Sequence, residues 1–204
     1  MNKTLLLPPK IRDFFKKNFS KKQILIKSII LISTLAIVLI MSLSFYFWLR
    51  DEKVGTEKFK NGFWYIKIVH NDGIGFGGFK NNLVAINLIQ SMMFIFLFLI
   101  FVFTYQNILA TTFISLAMFG GIFNILQRAN DHGWVLDYFQ FGFWESFPTF
   151  NWPDIFVVIS IFSSIIITFV TSGMQFINEK KKSKTHTPDT SSIDIDKQKT
   201  IIDY

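Results

Sequence analysis

The stretch SIILISTLAIVLIMSLSFYFWL, Ser28–Leu49, contains no charged residue. An α-helix needs about 20 predominantly apolar residues to cross the hydrocarbon core of a bilayer. Three further uncharged runs of similar length follow it, at Leu83–Tyr105, Ile108–Gln127 and Ile155–Ile177. The four runs together predict four transmembrane helices, of which the third is the most polar.

The charged residues lie mainly on the flanks of these runs. Of the 21 Lys and Arg residues, eight lie within Lys3–Lys27, and four more lie within Lys180–Lys184. Basic flanks are typical of the cytoplasmic side of a membrane protein, so four spans place both termini inside the cell. The net charge of +7 therefore indicates contact with anionic membrane lipid rather than a nucleic-acid partner.

We expect an all-α membrane protein, a four-transmembrane-helix bundle with a small extracytoplasmic β-rich insert. Residues 1–27 form a basic cytoplasmic arm, and residues 28–177 form the membrane domain. The polar composition of residues 178–204 predicts a disordered cytoplasmic tail. The outer segments are the insert, at about 50–82, and a loop at about 128–154.

The insert contains FWYIKIVH, Phe63–His70, whose β-branched and aromatic residues predict a strand. The turn-rich segment NDGIGFGG follows it. Its residues Gly73, Gly75 and Gly78 formally match a dinucleotide-binding GxGxxG pattern. That interpretation is rejected because a membrane span follows within a few residues and no βαβ unit is present.

Two aspartates, Asp137 and Asp154, flank an aromatic stretch in the second outer segment. If the loop folds back, both carboxyls meet at the outer face of the bundle. Two close carboxyls cannot both ionise cheaply, so one holds a proton while the other activates water, which is the chemistry of an aspartic protease. A structural interpretation stays open, in which Asn151 is a helix N-cap and Asp154 is favourable in the first helical turn.

Four short motifs occur in a fixed order within the four-span frame: Asn71, Gly73 and Phe76; Asn124 and Arg128; Val135 and Asp137; and Phe150, Asn151 and Asp154. Together they resemble the lipoprotein signal peptidase (signal peptidase II) family of bacterial cell membranes. The family pattern is roughly NxGxxF, then GGxxGNxxDR, then VVDF, then FNxAD. The sequence departs from it at Phe123 and Gln127, and in the first helix, where Ser42 and Ser44 are the nearest residues to an expected acid and lysine.

The resemblance implies an endopeptidase that cuts diacylglyceryl-modified prolipoproteins just before the lipidated cysteine. Asp137 and Asp154 would be its catalytic pair, with no metal and no cofactor. We expect a monomer whose partners are the lipid-modified prolipoprotein and membrane lipid. The resemblance further implies that Asn151 supports the pair of aspartates, and that substrate is bound by the remaining motif residues, Asn71, Gly73, Phe76, Asn124, Arg128 and Asn151.

Other interpretations stay open at this point. Arg128 could be an interfacial anchor at the end of the third helix, and the loop aromatics could form a membrane-interface belt. The chain could also be a catalytically impaired relative or a non-enzymatic four-span scaffold. A transporter is less favoured because the spans carry few polar groups at mid-depth. A metal site is disfavoured because the histidines and acids lack any metal-binding spacing.

Overall fold

The computed structural model describes residues 8–60, 62–75, 77–104, 107–131 and 133–185. Among these residues, four helices are long and apolar enough to cross a membrane, which confirms the expected four-span helical architecture. The elements in chain order are α1 (Pro9–Asn18), α2 (Lys21–Leu49), β1 (Glu57–Lys58), β2 (Trp64–Asn71), α3 (Leu83–Phe103), α4 (Ile108–Asn130), β3 (Val135–Phe141) and α5 (Trp152–Thr185).

The chain forms two compact units, Met1–Ile165 and Ile166–Tyr204. The first unit holds the sheet, helices α1 to α4 and the first part of α5. The described part of the second unit is helical. The disordered tail was expected to begin at Asn178, whereas α5 continues to Thr185. The rest of that predicted tail lies outside the described residues.

A three-stranded antiparallel sheet in the order β1-β2-β3 stands beside the helices. The predicted strand in the insert is confirmed as β2. Strand β2 pairs with β3. Trp64 lies opposite Phe141 at one end, and Asn71 lies opposite Val135 at the other. Strand β3 comes from the segment that was expected to be only a loop. Six of its seven residues are buried, so the strand lacks the apolar–polar alternation that marks a half-exposed strand.

Helix α4 is the central helix of the bundle. Ten of its residues are buried, whereas α3 buries only Ile86 and Phe101. The polar residues that lower the mean hydropathy of α4, among them Ser115 and Asn124, are buried within the protein. Polar groups at membrane depth are costly when they face lipid and therefore lie inside the bundle. The other spans expose apolar residues along most of their length.

Helices α4 and α5 approach each other closely at Gly120. A Cβ atom at this position would lie only 2.7 Å from the carbonyl oxygen of Pro153 and 3.2 Å from Cγ2 of Val157. A Cβ atom at the neighbouring Gly121 would have no atom within 4 Å. Small residues let membrane helices pack backbone to backbone. Gly120 thus sets the position of the first turn of α5 against α4.

Gly120→Ala is expected to destabilise the protein, because the added methyl group must displace the backbone of Pro153. Overpacking of this kind costs about 1–3 kcal/mol, which outweighs the roughly 1 kcal/mol that alanine gains over glycine in a helix. Thermal unfolding in detergent measures the change. Gly121→Ala is the matched control and should leave the melting temperature unchanged or higher. Equal melting temperatures for the two variants would contradict the proposed close contact.

Candidate active site

Asp137 lies in the middle of β3, opposite Val69 of β2. Its side chain is buried, with 1% of the residue's surface exposed. Its two carboxyl oxygens accept hydrogen bonds from two amides, the Nδ2 groups of Asn71 and Asn151, each at 2.8 Å. The carboxyl is therefore fixed from both sides, with one donor from β2 and one from the residue that precedes α5.

Asp154 lies in the first turn of α5, and it forms a reciprocal cap with Asn151. The Asn151 Oδ1 atom accepts from the backbone N–H of Asp154 at 2.9 Å, and the Asp154 Oδ2 atom accepts from the backbone N–H of Asn151 at 3.2 Å. This is the geometry of a capping box. The N-cap interpretation of Asn151 is confirmed. It does not compete with a chemical role, because the same carboxyl lines a cavity.

Asn151 connects the two aspartates. Its side-chain Nδ2 group donates to Asp137, while its backbone N–H donates to Asp154. Asn124 of α4 completes the network, since its Nδ2 group donates to Asp154 Oδ1 at 2.8 Å and its Oδ1 atom accepts from Asn151 Nδ2 at 3.2 Å. The loop therefore folds back as expected, and one buried asparagine joins both carboxyls.

The environment of Asp137 favours its protonated form. Burial raises the pKa of the Asp137 carboxyl well above its usual range, and the neighbouring charge of Asp154 raises it further. The amide of Asn71 and the positive charge of Arg128 act in the opposite direction and lower this pKa. Burial is the largest of these effects, so the pair can hold one shared proton.

Arg128 lies near the C-terminal end of α4 and exposes only 3% of its surface. Its Nη2 group donates to the carbonyl oxygen of Gly73 at 2.5 Å, and its Nη1 group donates to Gln90 Oε1 at 3.3 Å. Its Nε atom is buried and has no hydrogen-bond partner within the described chain. This burial argues against an interfacial lipid anchor, because the guanidinium contacts protein groups beside the aspartates.

The glycine-rich turn after β2 packs against this guanidinium. The Oδ1 atom of Asn71 accepts from the N–H of Gly73 at 2.9 Å, which fixes the start of the turn. Gly75 and Gly77 have positive φ angles of 34° and 78°, which residues with a Cβ atom rarely adopt. Phe76, which was expected to contact substrate, lies outside the described residues.

A cavity of about 540 Å³ opens at the aspartate network. Its polar end contains both carboxyls, Asn71, Asn124 and Arg128. Its walls are apolar and are formed by α3, α4, α5 and the loop after β3. The apolar wall residues include Met93, Phe94, Leu97, Met118, Phe147, Phe150, Val157 and Phe162. The site thus places two carboxyls beside a pocket suited to a ligand that has a polar end and an apolar end.

Gln140 is a site-supporting residue that sequence reasoning missed. It is buried in β3, and its Nε2 group donates to the carbonyl oxygen of Phe147 at 2.8 Å. Its Oε1 atom accepts from Thr149 Oγ1 at 3.0 Å. Phe147 and Thr149 line the cavity, so Gln140 shapes one of its walls. The single available signal was a lone amide inside an aromatic run, which on its own indicates no role.

Tyr138 was also missed as a supporting residue. Its hydroxyl accepts from the backbone N–H of Trp152 at 3.1 Å, which satisfies a free donor at the start of α5. Its ring stacks on Phe45 of α2 at 5.2 Å between centroids. Tyr138 therefore ties the strand that carries Asp137 to the helix that carries Asp154.

Groups of three or more potential metal ligands do not occur among the described residues. His70 instead stacks on Trp134, with ring centroids 3.5 Å apart. His132 lies outside the described residues. The expectation of a metal-free site stays a prediction.

Comparison with known proteins identifies the relatives of this chain. The family model of signal peptidase (SPase) II matches residues 36–170. The chain belongs to the signal peptidase II family. The resemblance inferred from the four ordered motifs is thereby confirmed. The matched range contains every residue of the aspartate network.

Lipoprotein signal peptidases of three mycoplasma-type bacteria are similar to this member of the signal peptidase II family. The one from Mycoplasmoides gallisepticum is 34% identical over 186 residues, which are 85% of this chain and 58% of that protein. The one from Malacoplasma penetrans is 31% identical over 60% of this chain and 54% of that protein. The one from Mycoplasma genitalium is 30% identical over 67% of this chain and 72% of that protein. The chain thus spans little more than half the length of the first two.

Solved structures support the same fold. Two structures of a bacterial membrane enzyme, at 2.3 and 1.9 Å resolution, superpose with TM-scores of 0.59 and 0.56. Each is 23% identical to this chain, and they cover 77% and 74% of it. These likenesses establish the fold of this signal peptidase II family member, a multi-pass membrane protein.

Proposed function

We propose that the protein is a membrane aspartic endopeptidase that removes the signal peptide from diacylglyceryl-modified prolipoproteins, cutting before the lipidated cysteine. One observation carries the proposal: Asn151 joins the carboxyls of Asp137 and Asp154 at the polar end of an apolar cavity. Membership of the signal peptidase II family and the names of the curated relatives support the same activity.

The two carboxyls take different roles in this proposal. Asp137, whose pKa is raised by burial, is the acid that donates a hydrogen bond to the scissile carbonyl oxygen. Asp154 lies in the first turn of α5, where the positive end of a helix dipole stabilises a carboxylate. Asp154 is therefore the base.

The bond changes follow from these roles. Asp154 takes a proton from water while the water oxygen attacks the carbonyl carbon, and the proton of Asp137 stabilises the developing oxyanion. The carbon–nitrogen bond then breaks, and the leaving amine takes the proton from Asp154. The products are the signal peptide with a new carboxyl group and the lipoprotein with a free cysteine amine.

The remaining motif residues divide into positioning and binding roles. Asn71 and Asn124 use their amide donors on the two carboxyls, so we assign them to orienting the pair. Asn151 has the same role. Arg128 lines the cavity, and we assign its guanidinium to holding a peptide carbonyl once substrate enters. The helix-lined apolar wall takes the acyl chains of the substrate.

Discrimination by the lipid group tests the proposed substrate class. The purified chain in detergent should release the signal peptide from a diacylglyceryl-modified prolipoprotein and leave the same unmodified polypeptide intact. Product masses measure both reactions. The reason is that the acyl chains fill the apolar wall and position the peptide at the carboxyls. Equal cleavage of both substrates would contradict the role of the cavity.

We also propose that both termini are cytoplasmic and that the cavity opens at the outer face. The chain contains no native cysteine, so a single introduced cysteine reports its own location. A membrane-impermeant thiol reagent added outside intact cells should label Lys53→Cys and miss Lys16→Cys, two positions that are exposed in the structure. The reverse labelling pattern would contradict the proposed topology.

The raised pKa of Asp137 has a consequence for stability. The unfolded carboxyl titrates at about 3.9, so the folded state binds the proton more tightly. The contribution of this group is fully present below about pH 4 and is lost as pH rises through the raised pKa. The melting temperature of the wild type should therefore fall more steeply above about pH 4 than that of Asp137→Asn. Parallel curves would contradict the assignment of the proton to Asp137.

A further inference from the structure

Helix α1 has two chemically distinct faces. Ile11, Phe14, Phe15 and Asn18 recur at the i, i+3, i+4 and i+7 spacing that places residues on one helical face. The opposite face carries Arg12, Lys16 and Lys17, with Asp13 as the one acid of the helix. A basic face opposite an aromatic face is typical of helices that lie in the plane of a membrane surface.

One residue of the apolar face is anchored to the end of a transmembrane span. Asn18 exposes 1% of its surface, and its Nδ2 group donates to the carbonyl oxygen of Val102 at 2.8 Å. Lys27 of α2 donates to the same carbonyl at 2.6 Å and to Asn18 Oδ1 at 3.0 Å. Val102 lies in the last turn of α3, where helix carbonyls lack intrahelical partners. This three-residue node holds the end of α1 at the membrane boundary.

The rest of the apolar face is partly exposed in the part of the chain that the structure describes. Phe14 and Phe15 pack against Phe103, with ring centroids 6.5 and 6.4 Å away, yet they remain 36% and 40% exposed. Ile11 is 43% exposed. Because α3 ends at Phe103, this face lies where the hydrocarbon region of a bilayer meets its headgroups.

The charges of the opposite face point to one kind of surface. Within the described residues, Arg12, Lys16 and Lys17 form no salt bridge, and Lys21 and Lys22 continue the basic surface into the first turn of α2. We infer that α1 is an in-plane anchor whose aromatic face enters the acyl boundary and whose basic face binds anionic phospholipid headgroups, with the Asn18–Lys27–Val102 node fixing its position. This inference does not depend on proteolysis.

Spin labels on single cysteines test the inference in the full-length chain. The protein is reconstituted into vesicles of zwitterionic lipid with or without anionic phosphatidylglycerol. Labels at Ile11→Cys and Phe15→Cys should collide mainly with membrane-dissolved oxygen. Labels at Arg12→Cys and Lys16→Cys should collide mainly with a water-soluble nickel complex. Each face is measured at two positions, so one badly folded variant does not decide the result.

The charge contribution is tested by neutralisation. The spin label at Phe15→Cys reports how many molecules have this face in the membrane and how many have it in water. Replacing one basic residue of α1 by glutamine in this variant should lower the ratio of the first population to the second about fivefold. The change should occur in anionic vesicles only. Equal collision rates with the nickel complex for the labels at Phe15→Cys and Lys16→Cys would overturn the inference. Spin–spin broadening at Phe15 would overturn it as well, because a second copy would then cover the face. Identical label depth in both vesicle types would overturn the requirement for anionic lipid.

Discussion

Asp154→Asn is expected to lower cleavage of a lipidated prolipoprotein by about 10²- to 10⁴-fold, the range that a positioned general base contributes. The asparagine keeps an oxygen that can accept from the N–H of Asn151, so the cap at the start of α5 largely survives. It cannot take a proton from water. The variant therefore separates the chemical role of the carboxyl from its structural role, and the measurement is the rate of signal-peptide release.

Two comparisons sharpen this result. Asp72→Asn makes the same chemical change beside the site, at a partly exposed residue paired with Lys80, and should leave cleavage unchanged. The double variant Asp137→Asn with Asp154→Asn should be scarcely slower than either single variant, because residues that act as a unit are not additive. If Asp154 were only a capping residue, Asp154→Asn would cost at most about 1 kcal/mol of stability and retain full activity.

Arg128→Ala is expected to have the second largest effect, a loss of cleavage of about 10- to 150-fold. That range corresponds to one charged hydrogen bond to a buried group, about 1.5–3 kcal/mol. The guanidinium holds the carbonyl oxygen of Gly73 and lies beside both carboxyls. Its removal frees the glycine-rich turn and deprives the substrate of a fixed donor.

The matched control for Arg128→Ala is Arg50→Ala. Arg50 caps the C-terminal end of α2, is exposed, and contacts Phe47 and Asp51 rather than the cavity. It should retain cleavage. Arg128→Lys should lie between alanine and the wild type, because an ammonium group keeps the charge but cannot donate to two partners in a fixed fork. If Arg128→Ala unfolds at the wild-type temperature and cleaves at the wild-type rate, then Arg128 has no role in the site.

The membrane spans could be predicted because each is a long uncharged run. The same reasoning predicted β2, whose residues are rich in β-branched and aromatic types. It could not predict β3, because a strand buried on nearly every residue has no alternating pattern. The LDYFQF segment was therefore expected to be a loop, although its pairing with β2 is what places Asp137 beside Asn71.

The candidate carboxyls were found through their motif and chemistry, and the resemblance implied that Asn151 supports them, but the individual hydrogen bonds of the network were not predicted. Sequence spacing indicated that Asp137 and Asp154 could meet if the loop folded back. It did not show that Asn151 bonds to both, or that Asn71 and Asn124 spend their amide donors on the carboxyls. Such contacts depend on tertiary geometry. The resemblance implied that Asn71 and Asn124 hold substrate, which stays a prediction beside the orienting role that we propose for them.

The most direct test compares the purified wild type and Asp137→Asn on one diacylglyceryl-modified prolipoprotein, with product masses as the measurement. The wild type is predicted to release the intact signal peptide and leave a lipoprotein that begins at the lipidated cysteine, at the same rate with and without EDTA. Asp137→Asn is predicted to release the signal peptide at least about 10²-fold more slowly. Cleavage by Asp137→Asn at close to the wild-type rate, cleavage at another bond, or an intact substrate after incubation with the wild type would contradict an aspartate pair that matures lipoproteins.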